Sequence, residues 1–184
     1  RLAAMRLFSD RAIDYMRCAS ADDRRYLLYN PMVKMKVTSQ GEQVVRQLHE
    51  VIAAKGFEKE PFFEIANHEA GMLPKLEGTI HVNMALIVKF MKNFLFESKD
   101  YPEVAKHIET ADDTFLFDQG PARGLGNIEF HDYRLAYEMF ETPNIELFKQ
   151  QIAAFRCLML KGGPDAAQAK DIDYLLALGE CFCL

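Results

Sequence analysis

Glu77-Gly78-Thr79 lies between the proline-broken stretch Met72-Leu73-Pro74-Lys75 and the apolar run Ile80 to Phe96. A carboxylate at a loop-to-helix junction is placed to take a proton. Abstraction next to a carbonyl is the chemistry it suits, provided a dry pocket raises its pKa. Gly78 lets the backbone turn tightly, and Thr79 can cap the following helix by accepting a bond from an early backbone N–H. His81 falls in the first turn after Glu77 and can face the same cavity. The same glutamate has a plainer role open to it, since an acid just ahead of a helix N-terminus offsets the positive end of the dipole.

A second turn, Ala53-Ala54-Lys55-Gly56-Phe57, stands upstream at the end of a long amphipathic stretch. The order of long helix, Gly-Phe turn, short acidic helix, Glu-Gly-Thr and closing helix resembles the C-terminal helical domain of the acyl-CoA dehydrogenases. That resemblance covers about residues 1 to 96. It implies an FAD cofactor, with Glu77 removing the α-proton of an acyl thioester while hydride passes from the β-carbon to the flavin. It also implies that the backbone of Ala53, Ala54, Lys55 and Gly56 approaches the FAD diphosphate of a neighbouring subunit, with Thr79 and His81 on the cofactor side. Acyl-CoA and an electron acceptor become the implied partners of the full-length protein, and a homo-oligomer the implied assembly. Residues beyond Glu97 resemble the extra helical domain of the longer relatives, including acyl-CoA oxidases.

The chain departs from the family's pattern at several points. Where the family carries a Gln-x-x-Gly-Gly-x-Gly-Phe type loop, this chain has Glu50, Ala53, Ala54, Lys55, Gly56 and Phe57. A carboxylate near a diphosphate is repulsive, and Lys55 offers a compensating charge. His68-Glu69 replaces an Arg-Asp pair, and Thr79-Ile80-His81 replaces Thr-x-Gln. These departures define a rival class: a helical oligomerisation or interaction module that keeps the fold without the chemistry.

The 184 residues fit one large or two small domains, and 49% apolar with 27% charged residues is the composition of a globular protein with a sizeable core. A net charge of −5 with no basic stripe argues against nucleic acid as a partner. The apolar run Met84 to Val88 is followed at once by Lys89 and Lys92, too short and too charged to span a bilayer. Cys18, Cys157, Cys181 and Cys183 lack zinc or redox spacing and read as reduced thiols of a cytoplasmic protein. His49, His68, His81, His107 and His131 are dispersed, without the spacing of a helical metal site. Gly120 to Gly126 lacks the ending of a P-loop and reads as a connection.

Positioning these residues calls for an all-α chain. Apolar positions recur at helical spacing from Leu2 to Met16. Asp22-Asp23-Arg24-Arg25 then reads as a solvated turn with local ion pairs, and Asn30-Pro31 as the start of a long helix that runs to Ala54, with Gly56 as its stop. Gly41 inside that helix suggests close packing. Pro61 to Ala70 predicts a short helix and Thr79 to Phe96 a third long one, together a bundle. Beyond it, a short helix is expected at Asp100 to Ile108, an irregular connection from Thr110 to Asn127, and helices over Ile128 to Phe140, Ile145 to Leu160 and Ala166 to the end. The expected division is a bundle over 1–97, a connecting segment over 98–127 and a helical extension over 128–184. Both ends look like cuts through a longer polypeptide, leaving the apolar faces of Leu2 to Met16 and Ile80 to Phe94 open to a partner.

Overall fold

A computed structural model describes residues 1–58 and 62–184. Among the described residues six α-helices carry the architecture: α1 (Leu2–Arg17), α2 (Tyr26–Ile52), α3 (Phe62–Met72), α4 (Ile80–Phe96), α5 (Pro143–Lys161) and α6 (Ile172–Cys183). Among the described residues there is no strand, only an isolated bridge between Lys99 and His131. The all-α expectation therefore holds.

Helix boundaries follow local chemistry wherever a cap is present. Thr79 starts α4 by accepting from the Val82 N–H at 3.5 Å. Asp171 starts α6, its Oδ1 accepting from the N–H groups of Asp173 at 2.9 Å and Tyr174 at 3.1 Å. Thr142-Pro143 opens α5 with proline at its first position. The start of α2 departs from expectation: it begins at Tyr26, so Asn30 and Pro31 lie inside the helix. Asp23 shapes the turn just ahead of it instead, its Oδ1 accepting from the Arg25 N–H at 3.2 Å. Burial of Tyr26 and Leu28 also rewards an earlier start. Pro31, the sixth residue of α2, forgoes the bond that an N–H there would make to the Leu27 carbonyl. Gly41 has no atom within 4 Å of where a Cβ would stand, so close packing is not its role. Pro61, the expected first residue of α3, lies outside the described residues.

The core is built where α2, α4 and α6 meet. Leu28 and Met35 of α2 and Met84, Ile87 and Phe90 of α4 form one buried cluster with Ile128 and Phe130. Met91 and Leu95 of α4, Tyr133 and Leu178 of α6 form a second. At Gly179 the helices approach so closely that an added Cβ would overlap Met84 Sδ and Cγ. Lys36 of α2 pairs with Glu180 of α6 at the same seam. The face of α4 expected to lie open is thus covered by α6 and by residues 128–133. The clusters run across the division drawn between residues 97 and 128.

Two expected helices do not form. Residues 100–108 are irregular, and within 128–140 the only regular element is a 3-10 turn, Tyr133–Ala136. The final helix likewise starts at Ile172 rather than Ala166. Tertiary bonds replace helical ones here. The Arg11 guanidinium donates to the carbonyls of Val104 (2.6 Å) and Ala105 (2.9 Å) and pairs with Glu103 (2.8 Å). Arg17 donates to the Ile108 carbonyl at 2.5 Å. Arg24 donates to those of Pro121 (2.9 Å) and Arg123 (2.5 Å), and Arg25 to that of Pro102 at 2.7 Å. Asp14, buried, accepts from the N–H groups of His107 (3.1 Å) and Ile108 (2.9 Å). At Gly120, with φ +73°, an added Cβ would stand 2.8 Å from Ala21 Cα, so the loop lies directly on the α1–α2 turn.

Candidate functional site

The Glu77 turn is assembled from the end of α3. That helix tightens into a 3-10 turn over Leu73–Lys75, with Pro74 buried, and the Leu76 N–H donates to the Met72 carbonyl at 3.2 Å. Lys34 of α2 donates to the Leu73 carbonyl and so ties the turn to the long helix. Glu77 then takes φ +54° and Gly78 φ +104° before Thr79 caps α4. A left-handed glutamate is uncommon, because only Gly, Asn and Asp visit that region readily. Asn83 holds the turn from the other side, its Nδ2 donating to the carbonyls of Gly78 at 3.2 Å and Thr79 at 3.1 Å. Glu77, Thr79 and His81 are all exposed on this one turn.

The second turn caps α2. Ala53 donates its N–H to the His49 carbonyl and has φ +52° and ψ −140°, a conformation ordinarily left to glycine. The 3-10 turn Ala53–Phe57 follows, with Ala53, Ala54, Lys55 and Phe57 exposed and Gly56 buried. An added Cβ on Gly56 would come within 2.6 Å of His49 Nδ1. The His49 ring packs against Phe57 and Phe63, with centroids 5.4 and 5.7 Å away.

The two turns do not share a site within one chain. Glu77, Thr79 and His81 stand together, as do Ala53, Ala54, Lys55 and Gly56. The stretch of α2 between Lys34, which holds the first turn, and Ala53, which begins the second, is about 28 Å long. They occupy different ends of the α2–α3 pair.

A polar cluster elsewhere was misread from sequence. Within Asp22-Asp23-Arg24-Arg25 the expected local ion pair forms and Asp22 is exposed, but Arg25 is not solvated: it is only 2% exposed. Its guanidinium pairs with Asp23 at 2.7 Å and lies over the rings of Tyr101 (4.4 Å) and Tyr15 (5.1 Å). Burial opposes that charge, but Asp23 and the tyrosines outweigh it and hold Arg25 firmly protonated. Burial likewise opposes the Asp14 charge, yet the Ile108 and His107 N–H groups and Arg11 pull its carboxyl below the usual range. The available signal was the tyrosine density around this turn, Tyr15, Tyr26 and Tyr29; the partner Tyr101 is distant in sequence.

Two open clefts border this region. One, of about 120 Å³, lies among Asp22, Asp23, Arg24, Tyr101 and Glu129; the other, of about 250 Å³, among Asn93, Glu97, Lys99 and Gly126. Neither includes Glu77. Among the described residues no group of three His, Cys, Asp or Glu side chains could hold a metal ion, and no helix is long and apolar enough to cross a membrane. The four cysteines are free, and burial pushes the Cys183 thiol up to about 12.

No protein-family model matches the chain, and no curated protein or solved structure matches it either.

Proposed function

We propose that this chain is the C-terminal helical portion of a flavin-dependent acyl-CoA dehydrogenase-like protein, with Glu77 as the base that takes the α-proton of an acyl thioester. The observation that carries this reading is Ala53. At the position where the resembled loop has its first glycine, this alanine adopts a glycine-like φ of +52°. The backbone path of such a loop is therefore compatible with the residues present. A second left-handed residue, Glu77 at φ +54°, falls in the other implied turn. Strained backbone of this kind concentrates at functional sites.

FAD, when bound, would accept the hydride. Ala53, Ala54 and Lys55, exposed on their turn, would line its diphosphate while Gly56 is buried against His49 beneath them, with Lys55 offsetting the Glu50 charge, and Thr79 and His81 would border the Glu77 side. Separation of the two turns within one chain fits a site shared between neighbouring copies. Glu77 itself is open to solvent here, so a neighbouring domain or copy has to exclude water before it works as a base.

The test uses the protein carrying this chain at its full natural length. Visible absorption reports bound flavin, and anaerobic mixing with acyl-CoA reports its bleaching. Glu77→Gln is expected to slow bleaching by about 10²–10⁴-fold while leaving flavin bound. Unchanged bleaching in the variant would assign the base to another residue.

The second reading, a helical association module, rests on a different observation. Leu48 and Val51 of α2, Phe57 of the turn, and Phe62, Ile65 and Met72 of α3 are exposed, Phe57 by 81%. Apolar surface of this extent favours association of copies through the α2–α3 face. A full-length protein that carries no flavin and still forms a defined oligomer would favour this second reading.

A further inference from the structure

His131 is held by groups that leave one of its nitrogens a single role. Its Nδ1 lies 3.5 Å from Arg25 Nη1 and 3.4 Å from the Tyr15 hydroxyl, and its ring stacks on Tyr15 at a centroid distance of 6.2 Å. A guanidinium only donates, so Nδ1 accepts and the proton of the neutral ring sits on Nε2. The backbone on either side of the ring forms the seam between the connecting segment and the core: the Lys99 N–H donates to the Phe130 carbonyl at 3.1 Å. Arg25 stays in place when that segment leaves, because Asp23 and the Tyr15 ring, both outside residues 99–108, hold it.

We infer that His131 is a proton-operated latch: neutral, it accepts from Arg25 and keeps residues 99–108 docked on α1 and the α1–α2 turn; protonated, it frees them. An imidazolium would turn an N–H and a positive charge toward the Arg25 guanidinium. Arg11 of α1 adds to the repulsion, while Glu103 of the docked segment and Asp132 beside the ring oppose it. The tyrosines facing the ring, Tyr15 and beyond it Tyr29 and Tyr101, carry no charge near neutral pH. With Arg25 immobile, the seam that yields is Lys99 to Phe130, and the Arg25 bond to Pro102 goes with it.

The direction in pH follows from the environment. Burial, followed by the arginines, lowers the folded-state pKa of His131 below its ordinary value, although Glu103 pulls the other way. Both folded and released forms are then neutral above about pH 6.5, where docking is fully stable. Docking weakens as pH falls through the interval down to the folded-state value, where the released form binds the extra proton.

Hydrogen exchange on the full-length protein, corrected for the intrinsic pH dependence of amide exchange, reads the latch. Opening at Lys99, His107 and Ile108 is expected to rise by up to about tenfold per pH unit below about pH 6.5, with α4 amides unchanged. His131→Gln supplies an acceptor that does not titrate and should abolish the rise between about pH 6.5 and 5, above the range where exposed carboxylates protonate. An unchanged rise in the variant, or no rise in the wild type, overturns the inference. Nitrogen NMR of the wild-type imidazole gives an independent check, since a proton found on Nδ1 at neutral pH would overturn it as well.

Discussion

The α4–α6 seam and the docked segment 99–125 are both long-range contacts, yet opposite forces hold them. At the seam, Met84 fills the space left by Gly179, and Ile87, Phe90 and Leu178 exclude water around it. Its specificity is one of shape, and burial of such side chains is worth about 1.5–3 kcal/mol each. The docked segment places its backbone on side chains instead: four arginines, Arg11, Arg17, Arg24 and Arg25, donate to its carbonyls, and Asp14 accepts from its N–H groups. An irregular segment has no internal partners for these groups, and leaving buried ones unpaired costs about 1–3 kcal/mol each. Shape makes a seam that fails all at once; charge makes one that can be released locally.

Gly179→Ala tests the seam most severely. The new Cβ would meet Met84, which is fully buried and has nowhere to retreat. Overpacking of this kind costs about 3 kcal/mol, and the thermal midpoint should fall by roughly 6–12 °C. Thermal denaturation followed by circular dichroism gives the answer. A midpoint within a degree of wild type would mean that this seam has slack and that the contrast of rigid shape with releasable charge is mistaken.

Asp14→Asn tests the docked segment, with a smaller global effect. The amide keeps one acceptor oxygen and loses the charge facing Arg11, His107 and Ile108, a loss of about 1.5–3 kcal/mol confined to that segment. Exchange protection at His107 and Ile108 should collapse while that of α4 persists. The wild type should show the same loss with acid. The folded-state pKa of Asp14 is depressed, so its contribution is complete above the unfolded value near 3.9 and disappears as pH falls through the folded one. Cooperative loss of α4 protection in the variant would erase the distinction between the regions.

The same contrast explains what could be read from sequence. The cores of α1, α2, α3, α4 and α5 were legible because apolar spacing is a local signal, as is the Thr79 cap of α4. The Glu77 turn, its glycine and its cap were legible for that reason too. The docked segment was not: residues 100–108 and 128–140 carry helix-compatible patterns, but Arg11, Asp14 and Arg25 meet the backbone of the first from more than seventy positions away, and Asn93 and Lys99 meet that of the second at Ile128 and Phe130. Tertiary partners for the backbone override local propensity there, and no spacing rule reveals them. Arg25 was misread on the same grounds, since a charge run is normally solvated. For Glu77 and Ala53 the sequence supplied the turns, whereas their left-handed backbone angles emerged only in three dimensions.

The smallest effect sharpens the contrast from outside both regions. Gly41 sits inside α2 with nothing within 4 Å of its missing Cβ, so it serves neither shape nor charge. A glycine there costs the helix backbone entropy in the unfolded chain and adds no packing. Gly41→Ala should therefore stabilise the protein by about 0.5–1 kcal/mol, raising the thermal midpoint by roughly 1–4 °C and leaving exchange at both the α4–α6 seam and residues 99–108 as it was. A lowered midpoint would reveal a surface that this glycine keeps clear for a second chain, on the α2 helix that also carries exposed Leu48 and Val51. Concentration dependence of the midpoint separates those outcomes, because a purely intrahelical gain does not vary with protein concentration, whereas a blocked association does.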